Sequence, residues 1–170
     1  MTLLHDVVNC TEIIEVVELL ISDGADVNAT NEYGMTPLHL ITPYHSSGDE
    51  TSIGIAKTLI SAGADVNIKD NEGATPLHLV ADSEGWDIDE ELAEMFIAAG
   101  ANVNAKDNDG YTPLHCAVQS NTVDFVQYLI SHGADVNVKN NDGKTPLDIV
   151  GSGFNAEEKK RILREAMGRE

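Results

Sequence analysis

Cysteine is nearly missing from this 170-residue chain: there are two, Cys10 and Cys116, far apart and without a partner pattern. That argues against a disulfide framework and for a reducing compartment, so an intracellular location is expected. Aromatic residues make up only 5% against 42% apolar residues overall, so a core must be built from small aliphatic contacts. Long apolar runs are missing as well. The most apolar stretch, Ile13 to Ile21, is interrupted by Glu15 and Glu18, well short of the roughly 20 residues of a membrane-spanning helix. The N-terminus carries Asp6 in place of a basic region, which does not read as a signal peptide, and Met1 suggests a native start. Basic residues are scarce: 10 Lys and Arg stand against 29 Asp and Glu, a net charge of −19. Nucleic-acid backbones and anionic membranes are therefore poor partners, because no electrostatic attraction would supply affinity. The imbalance is uneven, since residues 159–170 carry +3 and the first 158 carry −22.

Repetition is abundant. "TLLH" at 2–5 is followed by "TPLH" at 36–39, 75–78 and 112–115 and "TPLD" at 145–148. Between them lie "GADVN" at 24–28, 63–67 and 133–137 and "GANVN" at 100–104. From Gly24, Gly63, Gly100 and Gly133 to the next threonine the distance is always 12 residues, whereas from threonine to glycine it is 22, 27, 25 or 21. The connector has fixed geometry, and all length variation falls between threonine and glycine.

Each part of the unit has a physical reading. Thr36, Thr75, Thr112 and Thr145 can cap helix starts, with a proline next at the first helical position, where its fixed φ helps and its missing N–H costs nothing. Before each glycine, two adjacent apolar residues recur four positions later: Val16, Val17, Leu20, Ile21; Ile55, Ala56, Leu59, Ile60; Leu92, Ala93, Phe96, Ile97; Phe125, Val126, Leu129, Ile130. This is one helix face. The glycine ends that helix. The connector then runs extended through residues such as Val136 and Val138 and reverses at "NNDG". A unit is thus helix, turn, helix and a hairpin-like finger.

The combination of TPLH, GADVN and the D-x-x-G-x-T-P turn resembles the ankyrin repeat over about residues 1–150. The resemblance implies an all-α ankyrin-repeat solenoid of about five helix-turn-helix units joined by β-hairpin-like fingers. It would be a single domain, 1–170, with units at 1–29 (N-terminal cap), 30–68, 69–105, 106–138 and 139–170 (C-terminal cap). The first unit departs from the pattern: no finger precedes it, and Leu3 stands where proline is expected. In the last unit Asn155 is expected to cap a final helix with Glu158 three residues on, and Lys160, Arg161, Arg164 and Glu165 make that helix polar.

Several chemically suggestive groups are accounted for by the repeat. Asp107, Asn108 and Asp109 precede Gly110, but a calcium loop in that register would place Ala105 at its first and Cys116 at its twelfth position. His115 and Cys116 are consecutive and point about 100° apart on a helix, unlike a dyad. His5, His39, His78 and His115 recur once per unit, and the resemblance implies that each holds a neighbouring finger. Neither a catalytic set nor a cofactor or metal site is expected.

The resemblance implies protein binding on the concave face by a chain expected to be monomeric. Identity then lies where the units differ. Lys69, Lys106 and Lys139 follow the "VNx" of successive fingers and would form a basic ladder, or else pair with acidic turn residues. Tyr33, Glu72 and Asp109 sit in the turns, and Met35, Tyr111 and Lys144 precede the threonines. Tyr33, Met35 and Tyr111 are the expected anchors. A secondary patch is expected in the two expanded loops, with Tyr44, Trp86, Asp87 and Asp89 within an acidic run. The acidity also suggests an alternative, an inhibitor that masks a basic surface of its target, of the kind a secreted, viral or symbiont effector would use. Finally, the resemblance makes Asn28, Asn67, Asn104 and Asn137 candidates for hydroxylation.

Overall fold

A computed structural model describes residues 2–9, 14–41, 50–83, 88–120, 122–152 and 155–168. Among them the helices are α1 (Leu3–Asn9), α2 (Ile14–Ser22), α3 (Pro37–Leu40), α4 (Glu50–Ser61), α5 (Pro76–Ala81), α6 (Ile88–Ala98), α7 (Pro113–Ser120), α8 (Val123–Ser131), α9 (Pro146–Ile149) and α10 (Ala156–Ala166). Odd-numbered helices begin at the T-P-L motifs, or at Thr2-Leu3-Leu4 for α1, and stack on one another, and the even-numbered helices stack in a parallel row behind them. The described residues form no strand.

The predicted helix face is the core. Ile55, Ala56 and Leu59, Leu92, Ala93 and Phe96, and Phe125, Val126 and Leu129 are all buried. Ile60, Ile97 and Ile130, the fourth members of each set, pack at the rim of the same cluster. Gly24, Gly63, Gly100 and Gly133 end the even helices with φ near +90°. At α3, α5 and α9 the threonine cap pairs with the third helical residue in a capping box, with proline at the start.

Two local expectations are corrected. The connector is not extended through "DVN". Asp26, Asp65, Asn102 and Asp135 each accept the backbone N–H two residues on, at 2.9, 2.9, 3.0 and 2.9 Å. A side-chain acceptor at that offset folds the chain into a tight turn before the fingertip reversal. The finger therefore contains two turns. Asn155 does not cap α10 with its side chain either. Its φ of +68° places it in the left-handed region, where the side chain makes no cap hydrogen bond, and only its carbonyl joins the helix, to the Lys159 N–H at 3.0 Å. Thr122 caps α8 instead, accepting from the Phe125 N–H at 3.2 Å.

Each fingertip closes on an Asp or Asn side chain, and in the first finger Asn31 Oδ1 accepts the N–H groups of Tyr33 and Met35. Asp70 Oδ1 accepts the N–H groups of Glu72 and Ala74, and Asp107 Oδ1 those of Asp109 and Tyr111. In the last finger Asn140 does the same for Asp142 and Lys144 at 3.1 and 2.9 Å, and its buried Nδ2 has no hydrogen-bond partner. Asn140→Asp exchanges that orphan donor for a charge-assisted acceptor. It is expected to stabilise the chain by about 1 kcal/mol at neutral pH, read as a higher denaturation midpoint. A lowered midpoint would contradict this account of the turn.

Candidate functional site

The fingers and the histidines beneath them form one hydrogen-bonded surface. The Thr36 backbone N–H donates to His39 Nδ1 at 3.0 Å, and the Thr36 hydroxyl lies 2.8 Å from the same nitrogen. A backbone N–H can only donate, so Nδ1 is the bare nitrogen and the ring proton sits on Nε2. That Nε2–H donates to the Ala74 carbonyl of the next finger at 3.2 Å. His5 reaches the Met35 carbonyl (2.9 Å), His78 that of Tyr111 (3.2 Å) and His115 that of Lys144 (3.2 Å) in the same way. The once-per-unit histidine is thus a joint between units. Burial pushes the pKa of His39, His78 and His115 down, which keeps the neutral ring that this joint requires. In the last unit Asp148 Oδ2 accepts from the Thr145 N–H and hydroxyl, both at 2.8 Å, and so reproduces the cap with a carboxylate.

The same atoms exclude chemistry at His115 and Cys116. Both ring nitrogens of His115 are committed to Thr112 and Lys144, which leaves no base for a nucleophile. The Cys116 thiol is pushed up to about 12 by burial and by the nearby Asp82 and Asp107 carboxylates, so the thiolate is not formed at neutral pH. Among the described residues no group of three or more His, Cys, Asp or Glu side chains is arranged to hold a metal ion.

Two asparagine ladders complete the surface. Asn28, Asn67 and Asn104 each donate Nδ2–H to the glycine carbonyl of the next finger (Gly63, Gly100 and Gly133; 3.3, 3.0 and 2.9 Å). Their Oδ1 atoms accept from Asp65, Asn102 and Asp135 N–H at 2.8 Å in every case. At the fingertips Asn71, Asn108 and Asn141 reach the other way, to the carbonyls of Glu32, Asn71 and Asn108, all at 2.9 Å. The recurrence of these asparagines was visible in the sequence; the bridging role was not, because their partners are main-chain groups.

The anticipated binding residues fall on this surface as follows. Tyr33 is 62% exposed at the first fingertip, and Glu72 and Asp109 are exposed at the next two. Their carbonyls accept the backbone N–H of Asn71, Asn108 and Asn141, each at 2.9 Å, which sets the four fingertips side by side. Met35 is half-buried against the core, and Tyr111 is half-buried with its ring centroid 5.4 Å from that of His115. Lys144 is exposed beneath the last finger. Tyr33 and Met35 share the first finger, whereas Tyr111 belongs to the third, with Glu72 and the buried Ala74 between them. Lys69, Lys106 and Lys139 are exposed and in line, but they neither stand free as a set nor pair with acids. Lys69 Nζ donates to the Lys106 carbonyl at 2.6 Å and Lys106 Nζ to the Lys139 carbonyl at 2.8 Å. The ion pairs among the described residues lie on α10.

Of the secondary patch, Tyr44, Trp86 and Asp87 lie outside the described residues, and Asp89 is placed only as a backbone position in α6. One basic residue of consequence escaped the sequence reading. Lys159, within the polar run of α10, is only 6% exposed and donates to the carbonyls of Ala117 and Val118 (3.4 and 3.1 Å) at the end of α7. Burial pushes its pKa down.

Stacked helix pairs joined by hydrogen-bonded fingers define a repeat solenoid whose open surface is the finger row. A family profile described as "Ankyrin repeats (3 copies)" matches residues 44–140 and 87–163, and one described as "Ankyrin repeats (many copies)" matches residues 13–40. The chain belongs to the ankyrin-repeat family. Such repeats are generally protein–protein interaction modules and typically non-enzymatic. No individually curated protein matches the chain. No described helix is long and apolar enough to cross a membrane.

Proposed function

We propose that this chain binds a protein partner across its finger row, with Tyr33, Met35 and Tyr111 as anchors and Lys106 and Lys144 beside them. One observation carries the reading: the main chain of Tyr33, Met35, Tyr111 and Lys144 is committed to the scaffold, while their side chains are left exposed or half-exposed and differ from unit to unit. Lys69, Glu72, Asp109 and Lys139 line the same row and would set the charge pattern. The partner is to be isolated by affinity capture and measured with the purified chain. Changing Tyr33, Met35 and Tyr111 together to alanine is expected to weaken that complex by about 30-fold or more, the loss typical of one aromatic hot spot. Unchanged affinity in a triple variant with native circular dichroism would remove the finger row as the binding surface.

A second reading is favoured by the exposed acids Glu72, Asp109 and Asp142 along the fingertips and by the −22 charge of residues 1–158: the chain masks a basic surface of its target. The two readings differ in salt dependence. Masking predicts an affinity that falls steeply as salt rises past about 0.15 M, whereas aromatic anchoring does not.

A further inference from the structure

A lysine buried in a folded chain is ordinarily matched by a carboxylate, because a charge taken out of water without a counter-charge is costly. Lys159 is 6% exposed, yet it makes no ion pair among the described residues. Its Nζ donates to the Ala117 and Val118 carbonyls at 3.4 and 3.1 Å, and the third N–H of the ammonium has no partner among those residues. Both carbonyls are among the last four of α7, which an α-helix leaves unpaired. That end of the helix suits a cation but does not neutralise it. The acids along α10 are engaged elsewhere: Glu157 with Lys160, and Glu158 and Glu165 with Arg161.

Lys159 also lines a pocket of about 170 Å³ between the fourth and fifth units. Val118 and Gln119 of α7 form one wall, and Val150 and Ser152 after α9 and Ala156 of α10 form the other. The lining is mixed. Val118, Val150 and Ala156 are aliphatic, whereas Gln119 and Ser152 offer hydrogen-bond donors. A cavity of about 150 Å³ takes a molecule the size of benzene, so this one fits about six heavy atoms. The pocket adjoins the basic stretch of an otherwise acidic chain, since residues 159–170 carry +3.

We infer that this pocket binds a monocarboxylate carried on a short aliphatic body, about six heavy atoms in all. One carboxylate oxygen accepts the third N–H of Lys159 and supplies the missing counter-charge. The Ser152 hydroxyl and the Gln119 amide are the donors at hand for the other oxygen, and the alkyl body rests on Val118, Val150 and Ala156. A charge-assisted bond in so sheltered a place outweighs the same contact on the open surface. A phosphate dianion does not suit the site, because one ammonium cannot balance two charges beside the carbonyl end of α7. The inference is independent of the finger-row reading: α7 and α9 start at the fingers, and the pocket lies at their far ends.

The test titrates butyrate, which has six heavy atoms, into the whole chain labelled with 15N and 13C, at about 0.15 M salt. Amide shifts should centre on Val118, Gln119, Gly151 and Ser152, the Lys159 13Cε signal should move with them, and half-saturation should fall near about 1 mM. Butyramide, which has the same shape without the charge, and inorganic phosphate should each bind at least about tenfold more weakly. Lys159→Met keeps the aliphatic stem and should lose butyrate binding by at least about tenfold. If that variant lacks native circular dichroism, the Lys159 signal of the unchanged chain decides. An acetylated Ala-Ala-Val peptide with a free C-terminal carboxylate separates the two sources of such a group. Tighter binding than butyrate assigns the carboxylate to the chain end of a protein, weaker binding assigns it to a free acid, and either supports the site. Shifts centred on the exposed Arg161 and Arg164, equal binding of butyramide, an unmoved Lys159 signal, or no saturation by about 50 mM butyrate would each overturn the inference.

Discussion

Gly73→Ala is expected to cost roughly 3–4 kcal/mol, about two to three times what Gly63→Ala costs, although both glycines have positive φ. Gly63 has a φ of +91° and open space where a Cβ would stand. Alanine there meets only the left-handed backbone penalty, roughly 1–2 kcal/mol. Gly73 has a φ of +81°, and a Cβ would lie 2.6 Å from Asn108 Oδ1 and 2.7 Å from its backbone N. That backbone contact cannot yield to a rotamer change. The next fingertip must move away, losing the bonds from Asn108 to the carbonyls of Glu72 and Asn71, both 2.9 Å, at roughly 1 kcal/mol each. Because a solenoid is held by nearest-neighbour terms, the loss falls on one junction. Urea unfolding should show a lower midpoint and a shallower slope as the array begins to melt in two parts. Equal effects from the two substitutions would show that the fingertip contact carries little of the coupling.

Mild acid should destabilise the chain more than its carboxylates alone would. His39, His78 and His115 have folded pKa values below their unfolded value near 6.5, so below that pH the unfolded state binds more protons than the folded one. Stability from these groups is complete above about pH 6.5 and is lost as pH falls from there towards their folded values. Each contributes a slope of at most about 1.4 kcal/mol per pH unit, so the three together reach at most about 4. Most carboxylates remain ionised down to about pH 5, so the window from 6.5 to 5.5 reports the histidines. Denaturation midpoints measured at pH 7.5, 6.5 and 5.5 should drop mainly in the last interval. His115→Leu should remove about a third of that pH slope while lowering stability at pH 7.5 through the lost joint. A midpoint flat from pH 7.5 to 5.5 would mean that protonated histidines are tolerated in these joints.

Much of this architecture could be read from residue order. The constant glycine-to-threonine distance marked a rigid connector, the doubled apolar pairs marked the buried face of each even helix, and the histidine slot marked a part serving the unit. What stayed hidden shares one physical cause: its partners are backbone groups, which carry no identity in a sequence. Lys69 and Lys106 looked like a basic ladder or halves of surface ion pairs, yet each ammonium is bound to a carbonyl. Lys159 sits in a run of charges that reads as solvent-facing, yet it closes the end of α7. Valine at "DVN" suits an extended strand, but the Asp or Asn two residues before each asparagine folds the chain into a turn. Tyr33, Met35 and Tyr111 could be picked out as unlike their counterparts, because side-chain identity is what a sequence records.

The histidine joints grip carbonyls, and this bears on how such a surface can change over time. Met35, Ala74, Tyr111 and Lys144 occupy one structural slot, and each is held through an atom that every amino acid possesses. The side chain mounted there can be exchanged without loosening the mount. A lineage can therefore rewrite what the surface recognises, one residue at a time, while the cost to folding is confined to that residue's own packing.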